Sequence, residues 1–164
     1  MKLLDYFVPI IGASWVLSLV MLTQPAQAQV AYGSYVGVGP AIGFGDGTQV
    51  GGVIAFRYKF LEKPISIRAQ ALIGQSTAIV PTISYDIPLN WQTDVYLGAG
   101  VAFAGGDTPS PVGNKISFAL QPGIDYNVPN SNAVIFGNAI IAFDAFTYSS
   151  ATAISLQGGV GLRF

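Results

Sequence analysis

The sequence predicts an all-β chain, a closed antiparallel up-and-down transmembrane β-barrel of about eight strands. Three observations point there. Hydrophobic residues make up 51% of the chain and charged residues 9%, alongside 20 Gly, a balance that suits strands facing something other than water. Greasy residues alternate with small or polar ones at a period of two in successive segments from Val36 to Phe164. The one apolar run near the length of a spanning helix, Tyr6 to Leu22, lies at the N-terminus and outside that pattern.

That apolar run reads as part of a secretory leader. Lys2 precedes it, Thr23-Gln24-Pro25 breaks it, and Ala26-Gln27-Ala28 offers a small-x-small cleavage pattern, so residues 1–28 are expected to be removed after Ala28. Pro9 and Gly12 weaken the competing reading as a permanent helical anchor. The barrel domain is then residues 29–164.

The last strand is the clearest. Ile154, Leu156, Gly158, Val160, Leu162 and Phe164 share one face, and Ser155, Gln157, Gly159, Gly161 and Arg163 the other. Between Ile116 and Val128, Phe118, Leu120, Pro122, Ile124 and Tyr126 likewise oppose Ala119, Gln121, Gly123, Asp125 and Asn127. Noisier segments centre on Val38, Phe56, Ala69, Ile83 and Ala99. The noisiest, around Ile135 to Phe146, places Phe136 and Ile140 on the inner face with Asn138 and Asp144. Turn-rich breaks separate all eight, the longest at Gly105 to Asn114. A strand of about 11 residues, tilted by about 40°, rises roughly 28 Å, close to the ~25 Å apolar band of an outer-membrane barrel. With both termini periplasmic, the longest loop faces outward.

Alternation alone does not separate a membrane barrel from a soluble cup. The second face does: Gly, Ala, Ser, Thr and few ions make a poor water surface but suit a narrow lumen. The greasy face therefore points to lipid, making outer-membrane lipids the expected surroundings. Aromatic residues sort to the two ends: Tyr58, Phe60, Tyr85, Trp91, Tyr126 and Phe164 at the periplasmic end, and Phe44, Phe103, Phe118, Phe143 and Phe146 at the other.

In this pattern, and in the ending Val160-Gly161-Leu162-Arg163-Phe164, the chain resembles the small eight-stranded outer-membrane β-barrel proteins of the OmpA/OmpX type. The resemblance implies that the barrel-assembly machinery reads Val160, Leu162 and Phe164 as an assembly signal. It implies a bacterial outer-membrane location and leaves the biochemical role open.

On the inner face the sequence places Arg57, Lys59, Arg68 and Arg163 against Asp86, Asp94, Asp125 and Asp144. All but Asp144 fall in the periplasmic half, with cations on strands two, three and eight and anions on strands four, five and six. Opposed sectors of opposite charge predict a salt-bridge network across the lumen, since isolated ions there would be costly to bury. Read as a plug, the cluster seals the barrel; read as a gated constriction, it passes small solutes. The narrowness of eight strands favours the plug.

Catalysis, cofactors and nucleic acid are not expected. The chain has no His and no Cys, removing the usual general base and common metal ligands. Asp86 and Asp94 near one turn raise the prospect of a shared proton, but neighbouring Arg and Lys favour ion pairing. Asp46 and Asp107 sit in loops with too few spaced oxygens for calcium and read as turn residues. A net charge of −1 advertises no polyanion as partner.

Pro40, Pro81 and Pro122 fall inside predicted strands and face lipid. Each deletes a ladder hydrogen bond and marks a lateral weak point that would admit an apolar or lipid ligand, although a bulge or a tolerated local defect is the simpler expectation. The expected function is a non-enzymatic envelope or surface-contact role with a plugged lumen. The alternative is a narrow porin-like channel or a lateral conduit.

Overall fold

In the computed structural model, which describes residues 33–164, eight strands close into one antiparallel barrel. They are β1 (Tyr35–Gly45), β2 (Gly47–Lys59), β3 (Ile65–Ile73), β4 (Thr77–Pro88), β5 (Thr93–Ala104), β6 (Ser117–Asn127), β7 (Ala133–Phe143) and β8 (Ala153–Arg163). Each pairs with its neighbours in sequence, and β8 returns to β1. The leader and its cleavage site lie outside the described residues.

Period-two alternation drives this arrangement. Val38, Ile54, Ile83, Leu97, Phe118, Ile135, Leu156 and Val160 stand exposed on the outside, while Ala41, Ala55, Val80, Ala119, Val134 and Ile140 are buried within. An exposed belt this apolar is stable only against an apolar medium, because in water it would be a very large hydrophobic patch. Turn chemistry closes the hairpins. Gly47, at φ 93°, takes a left-handed conformation after Asp46. Asn90 accepts hydrogen bonds from the amides of Gln92 (2.9 Å) and Thr93 (2.8 Å).

The strand register also sets the stagger. A row of partners beginning at Tyr35 runs through Arg57, Arg68, Thr82, Gly100, Ala119, Ala142 and Ala153. Ala153 then lies against Gly45, ten residues along β1 from the start. Sharing this stagger among eight strands shifts each by about 1.25 residues and tilts it by about 40°. Side chains at equal height follow from that shift.

The lumen has three levels. At the end carrying the C-terminus lie the charged residues. At mid-height lie Gln70, Thr82, Gln121, Asn138 and Gln157, all buried. Towards the opposite, distal end come Val53, Leu72, Val80, Ala102, Ala119, Ile140 and Ala142, a buried apolar core.

Two placements differ from expectation. Asp144 follows the last residue of β7 and adopts φ 51°. That left-handed turn ends the alternation before Asp144 can point inward, leaving it exposed and paired with Lys115 at 2.6 Å. Phe146 does not join the outer aromatic girdle. It is buried, and a Cβ on Gly45 would press on its ring.

At the prolines the ladder shows local breaks and not bulges. Paired residues are missing at Gly39 and Pro40 between β1 and β8, at Val80 and Pro81 between β4 and β5, and at Gln121 and Pro122 between β6 and β7. Register is the same on both sides of each break, so no residue is inserted, whereas a bulge would insert one. The missing pairs match the loss of one N–H donor at each proline. By the antiparallel register, those donors would have served the carbonyls of Gly158, Val101 and Ala139.

Close backbone approach at the β1/β8 seam explains one glycine. A Cβ on Gly39 would overlap the carbonyl of Gly158 and the Cα of Gly159. Gly39→Val should therefore lower barrel stability by roughly 1–3 kcal/mol through overpacking, read as an earlier midpoint in urea unfolding. An unchanged midpoint would show that the seam has slack.

Candidate functional site

Arg57 is the centre of the charged level. It projects inward from β2 and is 1% exposed. One terminal nitrogen, Nη2, meets Asp86 Oδ2 at 2.9 Å and Asp94 Oδ2 at 3.0 Å, and Nη1 meets Asp125 Oδ2 at 3.0 Å. Its Nε donates to Ser66 Oγ at 3.1 Å, and Ser66 in turn donates to Asp86. One guanidinium thus ties together strands β2, β3, β4, β5 and β6, using the fixed fork that distinguishes arginine from lysine.

Arg68 repeats the arrangement from β3. It reaches Asp125 Oδ2 at 2.9 Å and Asp86 Oδ1 at 3.2 Å. Its Nε donates to Ser84 Oγ (2.9 Å), which donates to Asp86 Oδ1 (2.9 Å). The guanidinium lies over the Tyr96 ring, 3.3 Å from the centroid, a stacking contact that adds to the ion pairs. Lys59 closes the set at 3.0 Å from Asp94.

Charge balances in this layer. Arg57, Arg68 and Lys59 face Asp86, Asp94 and Asp125, three against three. Two register pairs nevertheless join like charges, Arg57 with Arg68 and Asp94 with Asp125. Such neighbours repel along a sheet; here the aspartates are neutralised from the sector opposite, and the arginines from that sector and from Asp86 on the adjacent β4. Asp86 and Asp94 both reach Arg57 Nη2, so an arginine nitrogen stands where the shared-proton reading would need a proton.

Arg163 takes a different place. On β8 at the rim, its guanidinium donates to the main-chain carbonyl of Ser131 in the β6–β7 turn. The sequence reading had missed Tyr35, whose hydroxyl donates to Asp125 Oδ1 at 2.8 Å and whose ring stacks on Phe136 with centroids 5.8 Å apart. Extending the β1 alternation one step back from Val36 would have placed it inside. Ser66 and Ser84 were on the predicted inner face, but their part as links between arginine and Asp86 depends on inter-strand distances.

The two ends of the lumen differ. Below the network lies an open vestibule of about 510 Å³ bordered by Lys59, Asp94, Trp91 and Asn127. At the distal end, the β5–β6 loop folds over the mouth instead of projecting. Ser110, Pro111, Val112, Gly113 and Asn114 are buried, and the Pro111 carbonyl occupies the space where Gly43 would carry a Cβ. Asn114 ties this loop to the β7–β8 loop: its amide donates to the Ala145 carbonyl (2.9 Å), and its Oδ1 accepts from the Thr147 amide (3.0 Å).

Val160, Leu162 and Phe164, the residues expected to form an assembly signal, are all exposed, with Phe164 stacked on Phe56. Pro40, Pro81 and Pro122 are the strand interruptions described above.

No family model matches the sequence, and no curated protein does. Among solved structures the chain is similar to Ail, the attachment invasion locus protein of Yersinia pestis, in complex with the heparin analogue sucrose octasulfate. The identity is 20% and the TM-score 0.56, over 80% of this chain and 97% of that one. Neisserial surface protein A, NspA, matches at 16% identity and a TM-score of 0.56, over 80% and 97% of the two chains. A de novo designed transmembrane β-barrel matches at 12% identity and 0.52, over 80% and 96%. The likeness is one of fold, that of the small eight-stranded outer-membrane barrels. A designed chain superposes nearly as well as the natural ones, so the fold leaves the role undecided.

Removing one partner of the buried network should be severe. Arg57→Met strands three carboxylates and should destabilise the barrel by about 3–5 kcal/mol, measured by urea unfolding in detergent. Lys115→Ala, which breaks the exposed pair with Asp144, should change stability by less than about 1 kcal/mol. Equal effects would contradict the assignment of the network to the lumen.

Proposed function

We propose that this chain is a non-enzymatic integral protein of the bacterial outer membrane, with an envelope-structural or surface-contact role and a lumen sealed to solutes. The observation that carries this reading is the double closure of the lumen. A charge-balanced network, buried except where Lys59 meets the vestibule, blocks one end, and an apolar core under a hydrogen-bonded loop blocks the other. Ions entering this path would have to separate buried pairs and then cross a layer of Leu, Val, Ile and Ala side chains.

The loop end is taken as extracellular and the end carrying Phe164 as periplasmic. The extracellular loops then carry Asp46, Asp107 and Asp144 against Lys115. This acidic surface is a poor match for a sulfated glycan of the kind bound to Ail. Contact with lipid, or with a neutral or basic surface, suits these loops better.

A lateral binding site for an apolar or lipid ligand is the second reading, favoured by the three ladder breaks at lipid-facing prolines. Val160, Leu162 and Phe164 are proposed as the signal read by the barrel-assembly machinery. Their outward placement on the strand that closes the barrel leaves them available before closure.

Planar-bilayer recordings test the sealed lumen. The wild-type barrel should show no steady conductance, whereas a stable conducting level would overturn the proposal in favour of a channel. Separately, a chain ending at Arg163 should be exported but insert poorly, as measured by envelope fractionation. Normal insertion of that chain would remove Phe164 from the signal.

A further inference from the structure

The three proline breaks and the polar middle of the lumen occur at the same height. Pro40, Pro81 and Pro122 lie near the centres of β1, β4 and β6. Once the stagger is allowed for, they share a level with Gln70, Thr82, Gln121, Asn138 and Gln157. Outside that level is lipid. Inside it, several hydrogen-bonding atoms have no protein partner: Gln70 Oε1, Gln121 Nε2 and Gln157 Oε1, while the Asn138 amide lies against the Tyr96 hydroxyl. Gln70, Gln121, Asn138 and Gln157 are each more than nine-tenths buried. Buried amides are ordinarily satisfied, so a concentration of unsatisfied ones at one height points to a ligand that both donates and accepts.

The backbone adds a second, independent demand. Carbonyls of Val101, Ala139 and Gly158 lose their ladder donor to the prolines, and lipid offers no replacement. From the lumen they are approachable. Gly158 is flanked by Gln157 and Gly159 and faces Gly39; Val101 is flanked by Gly100; Ala139 is flanked by Asn138. Where a glycine stands, no side chain covers the carbonyl from within.

We infer that the barrel holds a ring of ordered water at mid-height, bound by the amides of Gln70, Gln121, Asn138 and Gln157. This water supplies the hydrogen bonds missing at the carbonyls of Val101, Ala139 and Gly158. A buried water typically makes about three hydrogen bonds to otherwise unsatisfied groups, and both kinds of partner are present here. The charged network closes the ring from one side and the apolar core from the other, so its exchange with bulk solvent is slow. The prolines are then hydrated seams: the sheet is held at β1/β8, β4/β5 and β6/β7 by solvent carried inside the protein.

Magnetic resonance on the wild-type barrel in lipid nanodiscs tests this directly. Long-lived water should give cross-peaks to the side-chain amide groups of Gln121, Asn138 and Gln157, and none to the methyls of Leu72, Val80 and Ile140. Absence of the amide cross-peaks overturns the inference. Pro81→Val provides a second measurement, because it restores a donor to the Val101 carbonyl. Hydrogen exchange at Ile79, Ile83 and Val101 should then slow at least tenfold, and exchange rates equal to wild type would show that the seam was never hydrated. A change in the amide signals that depends on sodium, at constant ionic strength, would assign the ring to a cation and likewise overturn the water assignment.

Discussion

Two arginines sit side by side on β2 and β3, and two aspartates sit side by side on β5 and β6. In an open sheet each pair would repel, and nothing nearby on the same strands would relieve it. Closure of the barrel changes the sign of the problem, because it brings the basic sector within 3 Å of the acidic one. The network is therefore a condition on the tertiary structure: the ions tolerate burial only in the closed form, and the closed form leaves no space for them to be hydrated separately. Tyr35, Ser66 and Ser84 extend that condition by using remaining donor and acceptor positions, and the Tyr96 ring covers Arg68. The choice of arginine over lysine at positions 57 and 68 follows from meeting it.

Much of this was legible in the sequence because strand parity is a local property. Knowing that Val38 faces lipid makes Gly37 and Gly39 inward without reference to any other strand, and the segregation of Arg57 and Arg68 from Asp94 and Asp125 follows from parity and strand order. Parity fails where the backbone leaves the extended region. Asp144 continued the β7 pattern on paper, but its left-handed turn removed it from the lumen, and Phe146 beyond that turn swung inward. The lid was hidden for another reason: Pro111 seats against Gly43, far away in the chain, and no local pattern reports that contact. The in-strand position of the prolines is also a matter of local pattern, but choosing between a bulge and a break requires counting residues on both partner strands.

The lumen is graded from end to end. Ions occupy one level, amides the next and hydrocarbon the last, so polarity falls steadily from the open vestibule to the covered mouth. This grading separates the two closures physically. Electrostatic closure responds to charge substitution, whereas the apolar closure responds to volume and to the seating of the loop. The fold alone requires neither, since chains of very different sequence adopt it. The grading belongs to this chain's choice of inward residues.

The covered mouth also bears on how the molecule is made. Asn114 reaches its partners Ala145 and Thr147 across the β6–β7 hairpin, and Pro111 finds its seat on β1, at the other end of the chain. The cap therefore cannot assemble within any one hairpin; it needs the first strand, the central loop and the last hairpin together. Until β8 meets β1 those pieces are held apart, and the cap has no seat. Capping is thus a late event coupled to completion of the wall.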